Sequence, residues 1–131
     1  MSDSFKKDFL KHLELDEESA EAVSQKYERK YDDDVDMNFI IGIRSFELFV
    51  PESNSLKQKR FVIKSLRERL KARFNVSIAE TDFQNLWQRS MLVVVTISNE
   101  VVRAEKLLSK VNEFVEHDSR LIVIDSKMKF L

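Results

Sequence analysis

Residues 55–74 read SLKQKRFVIKSLRERLKARF, a stretch with the periodicity of an amphipathic helix. Its apolar face consists of Leu56, Val62, Ile63, Leu66 and Leu70. Its opposite face is a row of cations spaced three or four residues apart: Lys57, Arg60, Lys64, Arg67 and Lys71. Between Ser55 and Arg73 there are eight Lys/Arg residues and one acid, Glu68. We therefore predict a helix that packs on a core through one face and presents the other to a polyanionic partner.

Strands are predicted on both sides of this helix. Asn38 to Val50 is rich in β-branched and aromatic residues and is followed by Pro51, which ends the strand. Phe74 to Phe83 alternates between two side-chain sets, as strand residues do. The turn that follows is predicted at residues 84–86, with Asn85 as the residue most tolerant of a left-handed backbone.

The C-terminal half supplies the remaining elements. MLVVVTI, residues 91–97, is apolar on both faces and is therefore predicted to be a buried strand. Ser98 or Asn99 is expected to cap a second helix, and a last strand begins at residues 121–124 and can extend to Phe130. The inner face of the second helix is predicted to be Val101, Ala104, Leu108, Val111 and Val115.

The order β-α-β-β-α-β predicts an α+β, ferredoxin-like fold, a four-stranded antiparallel sheet with two helices on one face. Right-handed crossovers place the first and third strands in the centre of such a sheet. Two helices cover only one face, so part of the apolar sheet needs another cover, either a partner chain or the N-terminal arm through Phe5, Phe9 and Leu13, and we expect a homodimer to which the arm contributes. The apolar strand residues in question are Phe39, Ile41, Phe46, Leu48, Val93 and Val95.

Charge divides the chain into two predicted regions. Residues 1–37 carry six Lys/Arg and twelve Asp/Glu, whereas residues 38–131 carry sixteen and eleven. The first region is predicted to be an acidic helical arm, with Asp16 as a helix cap and an acidic linker at residues 32–36. The second region is the predicted ferredoxin-like domain. The net charge of −1 for the whole chain is therefore the sum of an acidic arm and a basic domain.

The composition points away from catalysis. Cysteine is absent and there are two histidines, His12 and His117, so we expect no enzyme activity, no cofactor and no metal site. Glu80 and Asp82 share one strand face, and pairing with Arg44 or Arg89 explains them better than acid–base work. Without a long apolar run or a signal peptide, the chain is expected to be cytoplasmic and to have no membrane partner.

Several motifs are similar to those of the YlxP-like family of small bacterial proteins, over residues of about 38 to 131. A strand ending in proline is followed by a Ser-Leu-Lys-x-Lys-Arg helix start, and later segments read Arg-Phe-Asn-Val-Ser, Ala-Glu and Leu-Trp-Gln-Arg. In this chain these are Pro51, residues 55–60, residues 73–77, Ala79 with Glu80, and residues 86–89. The resemblance implies the ferredoxin-like fold. It also implies association with RNA or the ribosome, because genes of this family often lie beside genes for transcription and translation factors. The acidic arm is an addition to the family pattern.

Two functions remain open from the sequence. The first is non-enzymatic docking on RNA or the ribosome by electrostatic contact, without recognition of a DNA sequence. The second is a homodimeric protein-interaction or ligand-regulated module. Trp87 belongs to either: its ring could stack on a base, or cap the core or a subunit interface. The predicted RNA-binding residues are Lys57, Lys59, Arg60, Lys64, Arg67, Lys71 and Arg89.

Overall fold

A computed structural model describes residues 16–30 and 38–131. The chain divides into two units, residues 1–37 and 38–131, which are described separately. In the first unit, helix α1 spans Glu17–Lys30. Asp16 caps it, because its carboxylate accepts a hydrogen bond of 2.7 Å from the backbone of Ser19, which also lowers the pKa of Asp16. The predictions for residues 1–15 and for the acidic linker lie outside the described residues.

The second unit has the predicted ferredoxin-like fold. Its elements are β1 (Ile40–Phe49), α2 (Leu56–Arg73), β2 (Ser77–Asp82), β3 (Arg89–Ser98), α3 (Val101–Glu116) and β4 (Ile122–Phe130). The antiparallel sheet has the order β2-β3-β1-β4, so the first and third strands are central, as predicted. None of the helices in residues 16–30 and 38–131 is long and apolar enough to cross a membrane.

The core lies between the helices and one face of the sheet. Phe46 of β1 is opposite Leu92 of β3, and both side chains are fully buried. Buried side chains alternate along β3 with half-exposed ones, because successive strand residues point to opposite faces. The helices contribute Ile63, Leu66 and Leu70 from α2, and Ala104, Leu108, Val111 and Val115 from α3.

The start of α2 is held by reciprocal hydrogen bonds. The Ser55 hydroxyl accepts from the backbone N–H of Gln58 at 3.1 Å, while the Gln58 side-chain oxygen accepts from the backbone N–H of Asn54 at 2.6 Å. These bonds satisfy backbone donors that a helix start leaves free. The orientation of the cationic residues on α2 is therefore fixed from the first turn.

Three local predictions were wrong. The left-handed residue near the β2–β3 turn is Phe83, with φ of 61°, and not Asn85. The N-cap of α3 is Glu100, while the Ser98 hydroxyl accepts from the Glu100 backbone N–H at 3.2 Å. Val101, which was predicted on the inner face of α3, is 44% exposed. It is the first residue of the helix and lies outside the core.

Candidate nucleic-acid interface

The cationic face of α2 consists of Lys57, Arg60, Lys64, Arg67 and Lys71, and four of these side chains are exposed. Arg67 is half-buried and differs from them: its guanidinium donates to the carbonyl oxygen of Ile78 at 3.3 Å. Ile78 belongs to β2, an edge strand of the sheet. Arg67 thus holds the helix against this edge, and the other four cations face solvent.

Few carboxylates balance this surface. The Lys64 ammonium lies 4.0 Å from Glu68, a pair in which both side chains are largely exposed. Within residues 16–30 and 38–131, no carboxylate lies within 4.0 Å of Lys57, Arg60 or Lys71. Among the described residues, the exposed cations of this face therefore outnumber the carboxylates close to them.

Lys59 does not belong to this surface, which corrects its prediction as an RNA-binding residue. Its side chain is fully buried, and its ammonium donates to the carbonyl oxygens of Phe83 at 2.8 Å and of Gln84 and Arg89 at 3.2 Å each. The Glu80 carboxylate lies 3.2 Å away. An ammonium that is enclosed in this way cannot contact an external phosphate, and Lys59 instead ties α2 to the β2–β3 hairpin.

Arg89 lies apart from the cationic face. Its neighbour Ser90 is buried on the helix side of β3, so Arg89 points to the other side of the sheet. There it pairs with Glu47, and its guanidinium stacks 4.3 Å from the centre of the Phe83 ring. The predicted pairing of Glu80 with Arg44 or Arg89 is therefore wrong, because Glu80 binds the buried Lys59 and the Ser90 hydroxyl.

Trp87 lies in the loop between β2 and β3 and is 57% exposed, so it does not cap the core of this domain. The neighbouring Leu86 is 43% exposed. The adjacent Gln88 holds the loop, since its amide donates to the carbonyl oxygens of Pro51 and Ser53 at 3.2 Å each. A large aromatic side chain is thus presented on an anchored backbone.

A second basic cluster lies between the C-terminal ends of α2 and α3. The guanidinium groups of Arg69 and Arg73 lie 5.1 and 5.4 Å from the centre of the Phe114 ring. The buried Asp118 accepts two hydrogen bonds from the Arg120 guanidinium, which hold the pKa of that carboxyl below its usual value. These cations are engaged with neighbours, and Arg73 also lies in the last turn of α2, where a cation is favourable, so they are explained without a ligand.

The described residues also bear on metal chemistry. Over residues 16–30 and 38–131, no three His, Asp or Glu side chains are grouped so that they could hold a metal ion. The arrangement that stands out chemically is therefore an electrostatic one: exposed cations on a fixed helix, in a domain that also exposes a tryptophan in the β2–β3 loop.

Fold and site together define a ferredoxin-like α+β domain with a solvent-facing cationic helix. A family model described as "Protein of unknown function (DUF503)" matches residues 41–128, and the chain belongs to this family. Over 77 residues it is 36% identical to the uncharacterized protein YlxP of Bacillus subtilis (strain 168), a match that covers 59% of this chain and 84% of that relative. The resemblance to the YlxP-like family is confirmed.

Solved structures match this chain at low sequence identity and with TM-scores below 0.5. A C-terminal segment of the alpha subunit of aIF2 from Pyrococcus abyssi is 17% identical, with a TM-score of 0.43 over 96% of this chain and 67% of that chain. The de novo designed protein Foldit4 is 14% identical, with a TM-score of 0.41 over 71% of this chain and 94% of that chain.

Proposed function

We propose that this protein is a non-enzymatic, cytoplasmic RNA-binding protein that docks on RNA, free or within the ribosome, through the cationic face of α2. The observation that carries the proposal is the exposure of Lys57, Arg60, Lys64 and Lys71 on one side of a single helix. Phosphate groups attract such a surface, and the release of their counterions supplies binding free energy.

The dimensions of the cationic face suit a phosphate backbone. From Lys57 to Lys71 the helix rises roughly 21 Å at 1.5 Å per residue. One strand of B-form DNA presents a phosphate about every 3.4 Å of helix axis, and an A-form RNA duplex has a smaller rise, so roughly six or more phosphates span the same length. Several cations can therefore bind consecutive phosphates without bending the helix.

The proposed contact reads backbone and shape more than sequence. Sheet-based RNA readers stack bases on aromatic rings of their central strands. Here the solvent side of β3, one of the two central strands, carries Met91, Val93 and Val95, none of which is aromatic; on β1, Phe49 is paired with Arg89 at the end of the strand. The likeness to the YlxP-like family, taken with the cationic face, is what favours ribosomal RNA among the structured RNAs.

The test is co-sedimentation with ribosomal subunits and with purified ribosomal RNA, at about 50 and 300 mM salt. The decisive variant combines Lys57→Glu, Arg60→Glu, Lys64→Glu and Lys71→Glu; Arg67 is left intact because it bonds to Ile78. A matched control reverses four exposed cations elsewhere, with the same change in net charge: Arg103, Lys106, Lys127 and Lys129.

We expect wild type and control to bind at low salt, and the α2 variant to lose binding. Loss of binding in both variants would indicate that only net charge matters. Binding that survives in the α2 variant would refute the assignment to α2. No binding of wild type at low salt would refute the proposed function.

An exposed apolar sheet face favours a second candidate, a homodimeric interaction module. On the side of the sheet away from the helices, Ile97 is 70% exposed and Ile122 is 54% exposed. A second copy of this chain would cover such a face with a matching one. We expect a dimeric mass by sedimentation equilibrium and a monomeric mass for Ile97→Lys. A monomeric wild type would contradict this candidate.

A further inference from the structure

We propose that Trp87 stacks on an unpaired base of the RNA that lies along the cationic face. This inference rests on the proposed function and narrows its ligand to RNA with at least one unstacked nucleotide. The stacking group is the indole in the β2–β3 loop, and the phosphates on either side of the unpaired base would contact α2.

The exposure of Trp87 is the first observation behind this inference. A tryptophan contributes its large apolar area only when another surface covers it, and 57% of this one remains in solvent. The indole ring offers a flat face, which is the shape that a nucleobase covers. Stacking of this kind tolerates any base, because every base has a π-face.

The loop that carries Trp87 is anchored on both sides. Before it, the Lys59 ammonium bonds to the carbonyl oxygens of Phe83 and Gln84. After it, the Gln88 carbonyl accepts from the backbone N–H of Val50 at 2.7 Å, and the Gln88 amide bonds to Pro51 and Ser53. A platform that is already ordered loses little conformational entropy when a ligand binds.

The loop adjoins the end of the cationic face. Arg60 and Glu80 line the same groove between α2 and β2. The Gln84 amide, at the root of the loop, donates to the Glu80 carbonyl oxygen at 3.4 Å. An RNA strand that follows the cationic face from Lys71 towards Arg60 therefore arrives at the loop that carries Trp87.

The sequence itself provides the reporter for a direct test. Trp87 is the single tryptophan of the chain, so intrinsic tryptophan fluorescence reports on this side chain alone. The probes are a fluorescein-labelled single-stranded RNA of mixed sequence and a blunt RNA duplex of the same length. Anisotropy of the label measures binding, and quenching of the indole emission measures stacking.

The variants separate stacking from general apolar contact. Trp87→Leu keeps apolar bulk but removes the ring, whereas Trp87→Phe keeps a ring. We expect single-stranded RNA to quench Trp87 strongly and the duplex to quench it little, since paired bases are already stacked. Loss of one stacked base is expected to weaken single-strand binding by roughly tenfold or more in Trp87→Leu, and less in Trp87→Phe. Thermal unfolding checks that both variants are folded.

The outcomes distinguish this inference from the proposed function. Salt-sensitive anisotropy changes without quenching, together with wild-type affinity in Trp87→Leu, would overturn the stacking role and leave the cationic face in place. Equal losses in Trp87→Leu and Trp87→Phe would also overturn stacking, because a ring would not matter. No anisotropy change with either RNA at low salt would overturn both proposals.

Discussion

The Lys59 ammonium lies 3.2 Å from the Glu80 carboxylate in the interior of the ferredoxin-like domain. Lys59 is fully buried, while the Glu80 side chain is 16% exposed. Three backbone carbonyl oxygens complete the surroundings of the ammonium, all from the segment that ends β2 and begins β3. This lysine joins the helix that carries the cationic face to the loop that carries Trp87.

Replacement of Lys59 by methionine is expected to destabilise the domain by about 3–5 kcal/mol, because it leaves the largely buried Glu80 carboxylate without its counter-ion and removes one donor from three carbonyl groups. The free energy of unfolding in urea measures this loss. Lys57→Met, at an exposed position of the same helix, is the control and should stay within about 0.5 kcal/mol of wild type. Equal stability of the two variants would show that the buried pair contributes little to the fold.

Glu68→Gln is expected to strengthen RNA binding, because Glu68 is the one acid between Ser55 and Arg73 and lies 4.0 Å from Lys64. A gain of about 0.5 kcal/mol in binding at low salt is the order expected for one solvent-screened charge. Stability should change by no more than about 0.5 kcal/mol, since the pair is exposed. Anisotropy titrations with the labelled RNA measure the gain.

The control for Glu68→Gln is Glu105→Gln, an exposed acid on α3 with the same change in net charge. An equal gain in both variants would mean that RNA responds to total charge and not to the cationic face.

Periodicity predicted the fold because burial in this domain follows it closely. The central position of β1 and β3 followed from their apolar composition and from crossover handedness, and the strand order β2-β3-β1-β4 confirms it. Periodicity also contained the signal for Lys59, which lies one turn before the buried Ile63 on the apolar side of α2. A lysine is usually found on the protein surface, but the position of Lys59 in the apolar pattern of α2 indicated the interior.

The partners of the charged residues could not be predicted from the sequence. Lys59 and Glu80 are twenty-one positions apart and meet because α2 lies over β2, which no local pattern encodes. The left-handed conformation falls on Phe83 because the Asp82 side chain and Lys59 both bond to its backbone. These two bonds, one from the adjacent Asp82 and one from the distant Lys59, override the turn preference that favoured Asn85.

Gly42→Ala is expected to destabilise the domain by about 1–3 kcal/mol, because a Cβ at this position of β1 would lie 3.0 Å from the Leu108 side chain and 3.3 Å from Ala104. The missing side chain of Gly42 lets α3 pack closely on the sheet. Denaturant unfolding measures the cost. The double variant with Leu108→Ala should lose less than the sum of the single variants, since the smaller residue makes room for the new methyl group. Strict additivity would contradict this close packing.

Acid sensitivity is expected from Asp118, whose pKa is lowered from 3.8 in the folded state, first by the hydrogen bond from Arg120. A carboxyl with a depressed folded pKa stabilises the protein above its unfolded pKa, and that contribution disappears as pH falls through the folded pKa. Asp118→Asn should therefore be less stable than wild type by about 1–3 kcal/mol near pH 7, where Arg120 loses a charged acceptor. The difference should shrink as pH falls below 3.8 and through the lowered folded pKa of Asp118, as wild type loses the same interaction. Urea unfolding at several pH values measures it, with Asp125→Asn, an exposed carboxylate beside Lys127, as the control that stays close to wild type. A difference for Asp118→Asn that is constant across this range would show that its ion pair with Arg120 does not control acid stability.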